Sequence, residues 1–404
     1  MRRLAVILLV MPAIALGQAT TQPRDSLRRG EFHTTFTEQD PRSPIEAQNR
    51  RHHIRIQESQ RYKLPEESFE AYVPRDYDSS NAYGILVWVN AGNRGQVPRG
   101  WDELLDKHKL IFISADNSGN ERGVGVRFGL AMDAVFNLQK TYNIDPARVY
   151  AGGVSGGGKV ASMLAVIYPE TFSGAMPCVG VSYFRDIPLA GDPTHFWAHD
   201  FDQPPLAMLD RAKQLGRIVL ITGGRDMNRD SIQGTYERGY LPDGFKNVEY
   251  IEVPDMGHTL PPIERIEGAI NNLDEPLPGL AARMLEMGQQ LQRSHKDAEA
   301  HQLYQAVKLH GDARLAARAE ELLTASPIVK LPKPTKTIPA TRPAVASPVS
   351  REVEAQQLLS LAEGYERNKF ISQARERAQR IVREFADTPS AAKARQMLQR
   401  LASQ

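Results

Sequence analysis

The stretch that most constrains this chain runs from Arg148 to Pro177, RVYAGGVSGGGKVASMLAVIYPETFSGAMP. Arg148 to Ala151 is a short apolar, β-branched run and reads as a strand. Val160, Met163, Leu164 and Ile167 then recur at the spacing of one helix face. Between the two stands Gly153-Val154-Ser155-Gly156-Gly157. A chain that passes from strand to helix in so few residues has little room, so small residues must flank the apex. Gly152, Gly153, Gly156, Gly157 and Gly158 supply them. The serine is expected at the end of its strand, facing the free amides and positive dipole end of the helix that follows.

The surrounding pattern says what sheet this strand joins. Gly84 to Asn90, Leu110 to Ser114 and Arg217 to Thr222 are continuous apolar runs, as expected of strands buried on both faces. Phe69 to Val73 reads as an edge strand ended by Pro74, and Val248 to Val253 and Ala175 to Val179 as further strands. Trp101 to His108, Val126 to Tyr142, Leu206 to Leu215, Asp230 to Tyr240 and Ile263 to Leu273 carry helical spacing between them. Strands alternating with helices in this way predict a mostly parallel, doubly wound α/β sheet over residues 64–274. Ser182 to Pro205 has no clear period and holds Tyr183, Phe184, Phe196 and Trp197.

Outside that unit the composition changes. Met1-Arg2-Arg3, the apolar run Leu4 to Leu16 and the small-x-small site Ala15-Leu16-Gly17 read as an export signal, residues 1–17, cut before Gln18. The run is short for a membrane span, and no other stretch approaches that length. A periplasmic or secreted protein is the expectation. Residues 18–63 are polar and read as a loosely ordered arm, with Arg50-Arg51-His52-His53 as a solvated turn or helix end. Residues 275–325 are helical and rich in Ala, Leu, Gln and Arg. Residues 326–350 form a linker with six prolines, four basic residues and no acidic one, and 351–404 are helical again. Ala316-x-x-Ala319-x-x-x-Leu323 matches Ala391-x-x-Ala394-x-x-x-Leu398, and the later segment resembles a tetratricopeptide-type unit of cell-envelope proteins. A plain charged helical tail is the alternative. A formal net charge of +2 gives no case for nucleic acid. Cys178 is the single cysteine, which excludes an internal disulfide and reads as a buried thiol.

A serine hydroxyl is a weak nucleophile at neutral pH. It needs a base within reach, and the base needs an acid to fix its tautomer. His258, in Val253-Pro254-Asp255-Met256-Gly257-His258, follows the last strand in a glycine-hinged loop and is the candidate base. Asp226, in Thr222-Gly223-Gly224-Arg225-Asp226, follows the strand Arg217 to Thr222 and is the candidate acid. Asp230 is its rival, although it also suits a helix cap. Asp255 is too near His258 in sequence to orient it, and His195 and His199 read as pocket or surface residues. An oxyanion needs two backbone amides. Gly156 is one candidate, and Ala91 or Gly92, after the strand Gly84 to Asn90, the other. No metal or organic cofactor is called for.

With these residues in place, the chain resembles the α/β-hydrolase superfamily. Within it, it resembles the exported esterases typified by polyhydroxybutyrate depolymerases and feruloyl esterases. The likeness covers roughly Ser68 to Leu273. It rests on Ile144-Asp145-Pro146-Ala147-Arg148-Val149-Tyr150 leading into Gly153-Val154-Ser155-Gly156-Gly157-Gly158, on Gly223-Gly224-Arg225-Asp226 and on Met256-Gly257-His258. Where those families carry His-Gly after the oxyanion strand, this chain has Asn90-Ala91-Gly92. The resemblance implies an α/β-hydrolase fold followed by an α-helical region, and a serine hydrolase acting on a small or polymeric ester. A serine peptidase of the same fold, and a non-catalytic scaffold working through its helical tail and a protein or cell-envelope partner, are the competing readings.

Overall fold

The computed structural model describes residues 27–52, 61–325 and 371–402, with helical positions at 352, 355, 359, 362, 363 and 366. The expected export signal at 1–17, His53 and the proline-rich linker at 326–350 lie outside the described residues.

The core is an eight-stranded sheet. Its strands are β1 (Gly30–Thr35), β2 (Ser68–Val73), β3 (Tyr83–Val89), β4 (Leu110–Ala115), β5 (Ile144–Val154), β6 (Gly174–Cys178), β9 (Arg217–Gly223) and β10 (Asn247–Val253). The order across the sheet is β1-β2-β4-β3-β5-β6-β9-β10. Neighbours from β4 to β10 run parallel, while β2 is antiparallel to both β1 and β4. A short antiparallel hairpin, β7 (Ile187–Leu189) and β8 (Asp192–Trp197), is inserted after β6.

Side chains on successive strand residues point to opposite faces. In β3, Ile85, Val87 and Val89 therefore join one core, and Leu86 and Trp88 the other. Helices α3 (Val124–Thr141), α4 (Gly156–Ile167) and α5 (Leu206–Leu215) cover the first core. Helices α2 (Trp101–Lys107) and α7 (Ile263–Asp274) cover the second. Each Val, Leu or Ile buried completely in such a layer contributes about 1.5–3 kcal/mol, which is why β3 and β4 could be read from composition alone. This is the α/β-hydrolase fold.

Three expectations are corrected. The segment read as a loose arm carries β1 and a helix, α1 (Ile45–His52). Consequently β2 is not an edge strand, because β1 pairs with it along its whole length. The arm looked uncommitted because polar contacts hold it. The Asp40 amide and the Ser43 hydroxyl both donate to buried Asp133, each at 2.7 Å. Gln48 donates to the Gly125 carbonyl at 2.7 Å, and Arg51 pairs with Glu170 at 2.7 Å. The stretch Asp230 to Tyr240 is also not one regular helix. It is α6 (Arg229–Thr235) followed by a π-helical turn, Tyr236–Tyr240.

Past the sheet, α8 (Leu277–Arg293), α9 (Asp297–His310) and α10 (Ala313–Ala325) share a third core, which Ala147 and Leu215 also enter. His310 Nε2 lies 2.7 Å from Asp145 Oδ2, fastening the end of α9 to the start of β5. The last described helices, α11 (Ile371–Glu384) and α12 (Pro389–Ala402), pack through Ala374, Ala378, Ile381, Ala391, Ala394 and Met397. In the two matched sequence patterns, Ala319 and Ala394 occupy equivalent places and both are fully buried. Among the described residues, no helix is long and apolar enough to cross a membrane.

Candidate active site

Ser155 sits between β5 and α4 with φ 57° and ψ −118°. A non-glycine residue with positive φ is strained and persists only where its surroundings force it. Here they do. The Ser155 amide donates to the Cys178 carbonyl at 2.9 Å, and the Lys159 amide donates back to the Ser155 carbonyl at 3.0 Å. A side chain on Gly157 would collide with the Val89 carbonyl, so the end of β3 lies directly against the first turn of α4. That close approach is what the glycines beside Ser155 permit.

Two loops at the same edge of the sheet complete the cluster. His258, after β10, places Nε2 2.8 Å from Ser155 Oγ. Its Nδ1 lies 2.8 Å from Asp226 Oδ1, in the loop after β9. A carboxylate can only accept, so Nδ1 carries the proton and Nε2 presents a lone pair to the serine hydroxyl. The Asp226 side chain is fully buried while that of His258 keeps 26% exposure. Asp226 is held by two further donors. The Asn228 amide reaches Oδ1 at 3.1 Å and the Thr222 hydroxyl reaches Oδ2 at 2.9 Å. Asn228 Nδ2 in turn donates to the Val179 carbonyl at 2.9 Å, tying this loop to the one after β6.

The other candidates fall elsewhere. Asp230 is exposed and pairs with Arg229, and Asp255 is exposed and pairs with Arg225. His195 and His199 are surface residues paired with Asp192 and Asp186. Cys178 is buried, and burial pushes its thiol well above the ordinary range. Among the described residues, no group of three or more His, Cys, Asp or Glu side chains could hold a metal ion.

Asn90, Ala91 and Gly92 lie in the loop after β3, laced to the loop after β4. The Asn120 amide donates to the Ala91 carbonyl and the Asn117 amide to the Asn93 carbonyl, each at 2.8 Å. Asn90 Nδ2 donates to the Arg94 carbonyl at 2.7 Å. The side chain of Asn120 lies over Gly156, where an added Cβ would strike it. Thr222, Asn228 and Asn120 were not picked out from the sequence. Thr222 and Asn228 stand four before and two after Asp226, a spacing that lets a turn bring them onto one carboxylate. Asn120 comes from a separate loop and carries no such signal.

No family model matches the chain. Over 99 residues it is 30% identical to poly(3-hydroxyalkanoate) depolymerase C of Paucimonas lemoignei, covering 21% of this chain and 24% of that protein. The chain thus matches about a quarter of the length of that curated relative. Among solved structures, a feruloyl esterase module from Clostridium thermocellum in complex with sinapinate aligns with TM-score 0.35 and 15% identity, over 51% of this chain and 80% of that one. A butyrate-bound esterase from Thermogutta terrifontis aligns with TM-score 0.37 and 15% identity, over 52% and 88%. A dipeptidyl peptidase 4 from Porphyromonas gingivalis aligns with TM-score 0.36 and 16% identity, over 52% and 33%.

Proposed function

We propose that this chain is an exported serine hydrolase that cleaves carboxylic esters through Ser155, His258 and Asp226. The observation that carries the reading is the single line of hydrogen bonds, each 2.8 Å, from Ser155 Oγ through the His258 ring to Asp226. Ser155 Oγ attacks the ester carbonyl as His258 Nε2 takes its proton. Asp226 keeps the imidazole in the required tautomer and stabilises the cation that forms. The Gly156 amide and an amide of Ala91 or Gly92 receive the oxyanion, and each such donor is worth about 3–4 kcal/mol in the transition state. His258 then protonates the departing alkoxide. Water, activated by the same imidazole, releases the acid from Ser155.

The sequence of residues 1–17 supports export to the periplasm or beyond, and the paired helices after residue 350 are the part we assign to a protein or cell-envelope partner. The likeness to a poly(3-hydroxyalkanoate) depolymerase supports an ester as the scissile bond, in a small molecule or a polymer.

The test is hydrolysis of short-chain p-nitrophenyl esters by the chain from Gln18 onward, beside Ser155→Ala. Turnover abolished by the substitution is the expected result. Equal or absent turnover in two folded proteins overturns the ester reading, and a panel of p-nitroanilide amides then decides between a peptidase and a scaffold.

A further inference from the structure

Arg127 lies one turn into α3 and keeps only 6% of its surface exposed. A buried guanidinium ordinarily faces a carboxylate, because a desolvated charge needs a compensating partner. Among the described residues Arg127 faces none. Its Nη2 donates to the Asn90 carbonyl at 3.0 Å, and its Nε is buried with no partner among the described residues. Burial pushes its pKa down to about 10, with no acidic neighbour among the described residues to pull it back.

The carbonyl it grips is not an arbitrary one. Asn90 C=O and Ala91 N–H belong to the same planar trans peptide unit, so they point in opposite directions. A group that fixes the oxygen also fixes where the N–H is aimed. That unit begins one residue beyond Val89, whose carbonyl oxygen abuts Gly157 in the first turn of α4. A buried cation therefore holds the Asn90 oxygen, while the carbonyl just before it is seated against the serine turn. A cation on the oxygen also draws density from the nitrogen and strengthens the N–H as a donor.

We infer that Arg127 is a positioning residue that aims and polarises the Ala91 N–H toward the oxyanion, selecting Ala91 over Gly92 as the second donor. This rests on the serine-hydrolase reading above. Arg127 touches no reacting atom; it acts through the Asn90–Ala91 peptide. It adds, from a neighbouring helix, a grip on the peptide to the bonds the loop makes through Asn90 Nδ2 and the Ala91 carbonyl.

The experiment compares wild type, Arg127→Met and Arg127→Gln on p-nitrophenyl butyrate, with Ser155→Ala as the blank. An alkyl boronic acid that forms a tetrahedral adduct on Ser155 serves as the second probe. Losing an oxyanion donor outright costs about 100- to 1,000-fold in kcat, so mis-aiming one is expected to cost about 10- to 100-fold for Met. KM is expected to stay within about twofold, since the ground-state ester does not use the donor. Boronate affinity should weaken in step with kcat/KM, a correlation that a merely structural role would not produce. Gln keeps a donor but loses the charge, and should fall between wild type and Met. If Met does not fold, Gln carries the decision, with about a fivefold or greater loss in kcat expected. A folded variant with unchanged kcat and unchanged boronate affinity overturns the proposal. Wild type without Ser155-dependent turnover overturns the enzymatic reading itself, and Arg127 with it.

Discussion

Asp226→Asn should be far milder than the loss of the acid altogether, and the reason is Thr222. Three donors surround the Asp226 carboxylate: His258 Nδ1 and the Asn228 amide at Oδ1, and the Thr222 hydroxyl at Oδ2. An asparagine offers one acceptor oxygen and one donor NH2. The Asn228 backbone N–H can only donate, whereas a threonine hydroxyl can rotate and accept. The new amide should therefore settle with its oxygen toward Asn228 and His258 and its NH2 toward Thr222. His258 keeps the proton on Nδ1, and Nε2 still faces Ser155. What is lost is the charge that stabilises the imidazolium. Hydrogen bonds to ionised groups are about twice as strong as neutral ones. A loss of about 2–3 kcal/mol corresponds to about 30- to 150-fold in kcat/KM. A flipped tautomer costs about 10,000-fold in the serine-protease template. Thr222→Val removes the rotating acceptor. In the double variant the NH2 meets either a methyl group or the Asn228 N–H, and a further tenfold loss or more is expected. The assay is kcat/KM on p-nitrophenyl butyrate for both single variants, the pair and Asp226→Ala, read as a double-mutant cycle. Asp226→Asn as damaging as Asp226→Ala, or no coupling to Thr222, would refute the reasoning.

Asp133 anchors the N-terminal arm, and burial outweighs its donors to raise its pKa to about 6. A raised carboxylate binds its proton more tightly in the folded state. Its contribution is therefore fully present below about pH 4 and lost as pH rises through about 6. Relative to Asp133→Asn, wild type should lose about 2–3 kcal/mol of stability between pH 4 and pH 7 by urea denaturation; parallel profiles would sink the assignment. His310→Ala removes the bond that fastens α9 to Asp145, which is only 3% exposed. A loss of about 1–3 kcal/mol and easier proteolysis after residue 274 are expected, with ester turnover intact; unchanged stability would show the contact to be dispensable.

The central sheet was legible because its strands are buried on both faces. GILVWV in β3 and LIFIS in β4 leave few alternatives, and the glycines around Ser155 announce a turn that only small residues can make. Asp226 and His258 stood out through their place just after strands. The structure brings both to Ser155, because strand ends of a parallel sheet converge on one edge. What could not be read was whatever is held by polar contacts over long separations. β1 alternates between partly buried and exposed residues along its length, while Asp133 anchors the turn before α1 and Glu170 anchors α1 itself, both from elements roughly a hundred residues away. Neither carries a periodic signal strong enough to count. Arg127 was hidden for the opposite reason. It sits in the apolar first half of α3 as the kind of residue expected to face solvent, and only its depth and its grip on Asn90 single it out.

The position of the helices α8–α10 separates two roles within the molecule. They are fastened at Ala147, Asp145 and Leu215, which lie at or near the starts of β5 and β9. Ser155 and Asp226 lie just past the ends of those same two strands. At about 3.3 Å per residue, the eleven residues of β5 place the two ends roughly 30 Å apart. The contacts that fasten α8–α10 to the sheet therefore lie at the opposite strand ends from Ser155. The groups that hold the candidate oxyanion loop come instead from α3, from the loop after β4 and from the first turn of α4. The proposed ester turnover and the attachment of the helices are therefore expected to respond to different substitutions, since the helices dock on α5 and on the sheet at its strand starts.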